Sequence, residues 1–186
     1  MKFKKTLKIT SRTSSVTNGF VQAIIPCGEP RNEEMIGALS VLGMTPDDVH
    51  CVYCGAGATD WDHLRPLVKA KRPTGYATDI RNLVPSCGPC NQSKGGQDWR
   101  AWMLGHAKGS PRSRGISGVG ERVARLGEFE RWSEHEPLDF RQLIGAERWD
   151  AYWQRLESIE RQMFEAQAEA VQIRDAIATA LLNGRT

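Results

Sequence analysis

Residues 51–94 read CVYCGAGATDWDHLRPLVKAKRPTGYATDIRNLVPSCGPCNQSK, with a Cys-x-x-Cys pair at each end. The pairs are Cys51/Cys54 and Cys87/Cys90. Because a Cys-x-x-Cys turn directs two thiolates toward one point, two such turns supply the four sulfur ligands of a tetrahedral zinc site. Four thiolates leave no coordination position for water, so the pattern predicts a structural zinc ion that joins two loops.

The chain has five cysteines, and Cys27 is left over from this set. We expect Cys27 to be a buried thiol, since it closes a short apolar run. The basic N-terminal segment contains no apolar core of a secretory signal, and no apolar run approaches the roughly 20 residues of a membrane span. These features favour metal ligation over disulfides and predict a cytoplasmic protein. A redox role for the Cys-x-x-Cys pairs is the alternative.

Three short polar motifs lie within or directly beside the cysteine pairs. They are Asp62-His63-x-x-Pro66, Asn82-Leu83-x-Pro85 and Cys90-Asn91-x-x-Lys94. In this order, and together with the four cysteines, they resemble the HNH nuclease family, whose shared core is a ββα-metal finger. The first and last positions that give the family its name are Asp62 and Asn91 here, and both side chains offer a hard oxygen ligand.

The resemblance implies a role for each residue of these motifs. Asp62 and Asn91 would bind the catalytic Mg²⁺ or Mn²⁺, and His63 would be the general base. Asn82 would orient the loop that positions His63, and Lys94 would contact a phosphate. Taken singly, each of the first three has a structural alternative: a paired acid, a helix cap or a core histidine.

The charge is unevenly distributed along the chain. Residues 63–114 carry ten Lys or Arg and two acids, whereas residues 121–175 carry eight Arg and thirteen acids. A basic block around a candidate metal site predicts contact with the phosphate backbone of double-stranded DNA, although a solvated surface is the alternative. Further candidates for backbone contact are Arg65, Lys69, Lys71 and Arg72.

The pattern of elements predicts an α+β fold in four segments. Residues 1–50 form a basic arm, strand and helix, 51–104 the nuclease core, 105–120 a flexible basic linker, and 121–186 a helical region. In the first segment we expect a strand over 20–25, paired with 5–10, and a helix over 33–42 capped by Asn32. In the core we expect strands over 59–64 and 82–84 and a helix over 90–104, with its tryptophans packed inside.

A single long helix is predicted over residues 145–182. Apolar residues recur there every seven positions in two series offset by three, as in a coiled coil. The pattern favours pairing with a second copy of the chain, and packing across the rest of the protein is the alternative. The two series are Trp149, Leu156, Met163, Ala170, Ile177 and Tyr152, Ile159, Ala166, Ile173, Ala180.

The resemblance implies a metal-dependent endonuclease that leaves 5′-phosphate and 3′-hydroxyl ends. We expect a restriction-type enzyme that cuts both strands of DNA, with a phage or mobile-element nicking enzyme as a close alternative. An RNA-directed or toxin-like nuclease is compatible with the same motifs. A zinc-stapled module that binds DNA without cutting it is the alternative from a different class, since it would need the cysteines and the basic face only.

Overall fold

The computed structural model describes residues 5–134 and 136–183. It is a mixed α+β protein with short antiparallel strands and a long C-terminal helix, as predicted. The chain divides into two compact units. One comprises residues 24–138, and the other combines the residues up to Ala23 with those from Asp139 onward. The N-terminal segment therefore belongs with the C-terminal helices.

The helices and strands are named in chain order. After a 3₁₀ turn at Ile9–Arg12, the elements are α1 Thr13–Ala23, α2 Asn32–Val41, β1 Asp60–His63, β2 Val68–Lys69, β3 Arg72–Pro73, β4 Leu83–Ser86, α3 Gly88–Lys94, α4 Trp99–Leu104, α5 Val119–Trp132, α6 Phe140–Ile144 and α7 Ala146–Asn183. None of the described helices combines the length and the apolar character that a membrane crossing requires.

Two antiparallel strand pairs position the candidate site. β1 pairs with β4, which places Asp62 opposite Val84 and His63 opposite Leu83. β2 pairs with β3 in a small hairpin within the connection between them. α3 begins directly after β4, so the second Cys-x-x-Cys pair lies at the junction of strand and helix. This ββα arrangement is the one that the motifs predicted.

The core of the unit formed by residues 24–138 is rich in aromatic side chains. Trp99, Trp102 and Phe129 are almost fully buried, and the Tyr53 ring meets Trp102 edge-on at 5.1 Å. The predicted internal packing of the two tryptophans is confirmed. Each large ring removes considerable apolar surface from water when it is buried. These rings of α4 and α5 belong to the same core cluster as Val84 of β4.

The helix predicted over 90–104 is two helices. α3 ends at Lys94, and Gly95 has a φ of 51° at its C-cap. A second glycine follows, and the Asp98 side chain then accepts a hydrogen bond from the Ala101 amide to begin α4. Glycine is a poor helix former and aspartate a good N-cap, so the break is local in origin. The α2 prediction is confirmed, although Arg31 and not Asn32 is the N-cap.

The predicted N-terminal strands are wrong. The run over 20–25 lies mostly in α1, and the segment before it is an extended stretch followed by the 3₁₀ turn. Thr17 and Val21 are buried at helical spacing, and packing on another helix overrides the β propensity of the apolar run. Cys27 was expected to be buried, but it is exposed because it lies in an extended segment after the helix.

In the second unit, α1 packs along α7. The Tyr152 hydroxyl donates to the Phe20 carbonyl oxygen at 2.9 Å, and the two rings lie 5.2 Å apart. Trp153 and Leu156 of α7 are also buried, whereas Ile159 is exposed. The first half of the apolar pattern on α7 is therefore partly covered within the chain.

The second half of α7 has a different environment. Ile173, Ile177 and Leu181 are each more than half exposed. The segment 105–120, which was predicted to be a linker, contains successive turns. In these turns the buried Ser110 hydroxyl donates to the Gly105 carbonyl oxygen.

Candidate zinc cluster and active site

The four predicted cysteines come together in one cluster. Their sulfur atoms all lie within 4.8 Å of one another, and Cys54 Sγ is 3.6 Å from Cys87 Sγ. A tetrahedral zinc with Zn–S bonds near 2.3 Å would place its sulfurs about 3.8 Å apart. The donor set and its spacing therefore fit a structural zinc ion. A backbone hydrogen bond connects the segments that carry the two cysteine pairs: the Val52 amide donates to the Pro85 carbonyl oxygen.

The cysteines of the cluster differ in acidity. A hydrogen bond from the Cys90 thiol, aided by backbone amides, lowers the pKa of Cys51 to about 4, whereas the same hydrogen bond raises the pKa of Cys90 and burial raises that of Cys87. The Arg114 guanidinium donates to Cys90 Sγ at 3.3 Å, which adds a positive charge next to the sulfurs. Donors of this kind stabilise metal-bound thiolates. The role of Arg114 was missed, since the sequence shows it only as one charge in a Gly/Ser-rich segment.

β1 presents Asp62 and His63 on opposite faces. Asp62 points into the protein and is 4% exposed, whereas Trp61 on the other face is 40% exposed. His63 is half-buried on that outer face. The alternation is the ordinary consequence of a strand's two-residue period.

The Asp62 carboxylate is engaged by two buried neighbours. The Tyr53 hydroxyl donates to Oδ2 at 2.6 Å, and the Lys94 ammonium lies 3.1 Å from Oδ2 and 3.3 Å from Oδ1. Burial and the Asp62 charge raise the pKa of Tyr53, so its hydroxyl stays protonated and donates. Sequence reasoning missed Tyr53, because as the third residue of a Cys-x-x-Cys turn it carries no motif of its own.

Lys94 does not lie where a phosphate contact would place it. Its side chain is 0% exposed, and Nζ also donates to the His63 carbonyl oxygen at 2.8 Å. The ammonium therefore fastens the end of α3 to β1. The buried pair is a strong structural link, since removing one partner of such a pair typically costs about 3–5 kcal/mol.

The two residues expected to bind the catalytic cation offer oxygen ligands of the type that a divalent cation prefers. Asp62 offers carboxylate oxygens, and Asn91, half-buried on α3 one turn before Lys94, offers an amide oxygen. Hard oxygens suit Mg²⁺ or Mn²⁺. A carboxylate can accept about four hydrogen bonds, and the three from Tyr53 and Lys94 leave one position on Oδ1.

His63 is held by a single side-chain contact. Its Nε2 lies 2.9 Å from the Thr78 hydroxyl, and Nδ1 has no hydrogen-bond partner among the described residues. Burial lowers the pKa of His63 from its ordinary value of 6.5, so the ring is mainly neutral at pH 7. A neutral imidazole that donates from Nε2 to Thr78 would leave the Nδ1 lone pair able to accept a proton.

Thr78 is itself fixed by backbone contacts. Its amide donates to the Pro26 carbonyl oxygen at 3.0 Å, and its carbonyl oxygen accepts from the Gly28 amide at 2.9 Å. The segment after α1 therefore supports the imidazole through Thr78. No local sequence signal could have revealed this contact, because residues 26–28 and 78 are brought together only by the fold.

Asn82 closes the loop between β1 and β4. Its Oδ1 accepts from the Arg65 amide at 2.8 Å, and its Nδ2 donates to the carbonyl oxygens of Arg65 and Ala77. The side chain is fully buried. These bonds tie Asn82 to the loop between β1 and β4, and its role in orienting the loop that positions His63 stays a prediction.

The basic candidates fall into two groups. The Arg65 guanidinium donates to the Glu130 carbonyl oxygen at 2.9 Å and to the Ser133 hydroxyl at 3.2 Å, so it is occupied within the protein. Lys69 and Lys71 are exposed in the β2–β3 hairpin, and Arg72 is half-buried there. The hairpin turn has positive φ at Ala70 and Lys71, and such turns suit the twist of paired strands.

The comparison with known proteins agrees with this geometry. Residues 51–97, or 47 of the 186 residues, match the model of the HNH endonuclease family. No curated protein and no solved structure matches the chain. The matched segment contains the cysteine cluster, β1, β4, α3 and every residue of the three motifs. The chain therefore carries an HNH endonuclease domain at residues 51–97, which supports a nuclease-family function.

Proposed function

We propose that this chain is a metal-dependent endonuclease that hydrolyses phosphodiester bonds of DNA. The observation that supports this most directly is the environment of His63. The ring lies on the outer face of β1, is neutral, and is fixed through one nitrogen only. A residue that serves only to fill the core would have no need of this arrangement.

In the proposed mechanism, His63 is the general base. The Thr78 hydroxyl oxygen accepts a hydrogen bond from Nε2–H and thereby fixes the tautomer, and Nδ1 takes a proton from the attacking water. Asp62 and Asn91 would hold a divalent cation, which would stabilise charge at the scissile phosphate. Because Asp62 and His63 lie on opposite faces of β1, the substrate would have to approach both at the end of that strand, where His63 is the last residue. Asn82 is a positioning residue. We expect 5′-phosphate and 3′-hydroxyl ends.

The test is cleavage of supercoiled and linear duplex DNA by the zinc-loaded protein with Mg²⁺, with Mn²⁺ or with EDTA. We expect cleavage that requires added cation, and end sequencing would give the break chemistry. A parallel reaction on single-stranded RNA distinguishes the two substrates. DNA that is bound but not cut with either cation would contradict the proposal.

A DNA-binding module without catalysis is the second candidate, and the environment of Asp62 favours it. The carboxylate is already paired with Lys94 in the interior, as a purely structural acid would be. On the endonuclease proposal, the Lys94 ammonium has to share that carboxylate with the cation. Cation-dependent cleavage separates the two candidates.

We further propose that the enzyme is a restriction-type double-strand cutter that acts as a homodimer in the cytoplasm. A dimer would bring two active sites to the two strands, and the second half of α7 exposes an apolar face that could join two copies. The exposed basic hairpin at Lys69 and Lys71 would contact the DNA backbone.

Replacing both Ile173 and Ile177 by glutamate should convert the dimer to a monomer. The charges would have to be buried in the helix pair, which is strongly unfavourable. Sedimentation equilibrium measures the mass, and Ala178→Glu on the opposite side of the helix is the matched control. A wild-type protein that is monomeric at all concentrations, or a double variant that stays dimeric, would contradict this interface.

A further inference from the structure

A pocket of about 400 Å³ lies beside the first cysteine pair and the start of α5. It contains none of the residues assigned to catalysis or to the zinc cluster. Two arginines on α5 dominate its charge. The lining residues are His50, Ser117, Gly118, Glu121, Arg122 and Arg125.

The two arginines of the pocket lack partners of their own. Within residues 5–134 and 136–183, neither the Arg122 nor the Arg125 guanidinium makes a hydrogen bond or an ion pair, and the buried Nε of Arg122 is unsatisfied. A guanidinium has five N–H donors, and a buried donor without an acceptor is destabilising. Such a cost is usually offset by a ligand or by bound water.

Each guanidinium of the pocket lies close to a glycine. A Cβ added at Gly55 would overlap Arg122 Nη2, and one at Gly43 would lie 3.1 Å from Arg125 Cζ. Both glycines have positive φ, of 78° and 69°. Arg122 is half-buried and Arg125 is exposed, and each therefore has a glycine on one side and the pocket on the other.

The charge of the pocket selects an anion. The lining has two guanidiniums and one carboxylate. The carboxylate is that of Glu121, which lies near Gly118 at the start of α5. His50 adds an imidazole, which is 3.9 Å from the exposed Asp48 carboxylate. A tetrahedral oxyanion suits this set, because paired guanidiniums bind phosphate oxygens through several charge-assisted hydrogen bonds.

We infer that this pocket binds a phosphate group, and that the phosphate belongs to the backbone of DNA held away from the cleaved bond. The inference rests on the proposed function for the identity of the ligand, since a nuclease has to hold its substrate at more than one phosphate. Contacts of this kind position the duplex and carry no sequence information. Arg122 and Arg125 are then positioning residues.

The experiment uses the full chain loaded with zinc, in EDTA-free buffer without Mg²⁺ or Mn²⁺ so that no cleavage is supported. Fluorescence anisotropy gives the affinity for a labelled 25-base-pair duplex as a function of salt, for wild type and Arg122→Gln/Arg125→Gln. We expect the double variant to bind about tenfold or more weakly, with a salt slope reduced by about 1–2. Glu121→Gln should bind more tightly, which a folding defect cannot produce.

A second arm separates the pocket from the proposed function. Inorganic phosphate should raise the unfolding midpoint of wild type but not of the double variant, because a ligand stabilises only a site that binds it. A phosphate effect without any change in DNA affinity would overturn the DNA assignment and leave a site for a free phosphate compound. If neither DNA nor phosphate distinguishes the double variant from Arg131→Gln, an exposed arginine at the other end of α5, the inference is wrong.

Discussion

Replacing His63 by alanine should reduce the rate of DNA cleavage by a factor of about 10²–10⁴, the usual contribution of a general base. The variant lacks the imidazole that is proposed to take the proton of the attacking water. Single-turnover cleavage with saturating Mg²⁺ measures the chemical step directly. DNA affinity should be unchanged, since His63 carries no charge at neutral pH.

Two controls keep this result specific. His106→Ala removes an exposed histidine of the same unit and should cleave as wild type. The zinc content and the unfolding midpoint of His63→Ala should equal those of wild type, because its one side-chain contact is with the Thr78 hydroxyl. Cleavage by His63→Ala at the wild-type rate would remove His63 from the mechanism.

Removing zinc should unfold the nuclease unit. Structural zinc sites contribute on the order of 10–16 kcal/mol of binding free energy to folding at neutral pH, which is comparable with or greater than the stability of a small domain. Here three of the four cysteines are buried among the core residues, so the metal and the core are a single structure. Far-ultraviolet circular dichroism during chelation should show loss of a cooperative thermal transition, together with release of one zinc ion per chain.

Cys90→Ser should reproduce the effect of chelation, since a serine hydroxyl is a poor zinc ligand at neutral pH. Cys27→Ser is the matched control, because Cys27 is exposed and lies outside the cluster. It should keep both the zinc and the unfolding midpoint of wild type. A chelated protein with an unchanged midpoint would show that zinc is dispensable for folding.

The cysteine cluster and the ββα core were predictable because their signals are local and chemically distinctive. Two Cys-x-x-Cys pairs that flank a finger-sized segment are a characteristic zinc pattern, and the polar motifs lie at fixed offsets from them. The long α7 was predictable for a similar reason, since its apolar period persists over many turns. In each case the information is contained in neighbouring residues.

The features that were missed depend on contacts between distant parts of the chain. α1 is a helix because its buried face packs on α7, which a short apolar run does not reveal. The pairing of Lys94 with Asp62 could not be predicted, because it depends on the position of the end of α3 next to β1. Thr78 reaches His63 only because residues 26–28 hold its backbone.

The pairing of α1 with α7 also sets an order of events during synthesis. Phe20 and its partner Tyr152 are 132 residues apart in the sequence. At about 5–20 residues per second, α1 leaves the ribosome roughly 7–26 s before its partner exists. The nuclease unit is completed within that interval and can bind zinc and fold first. The face of α1 that packs on α7 has no partner during that interval, so the second unit can form only at the end of synthesis.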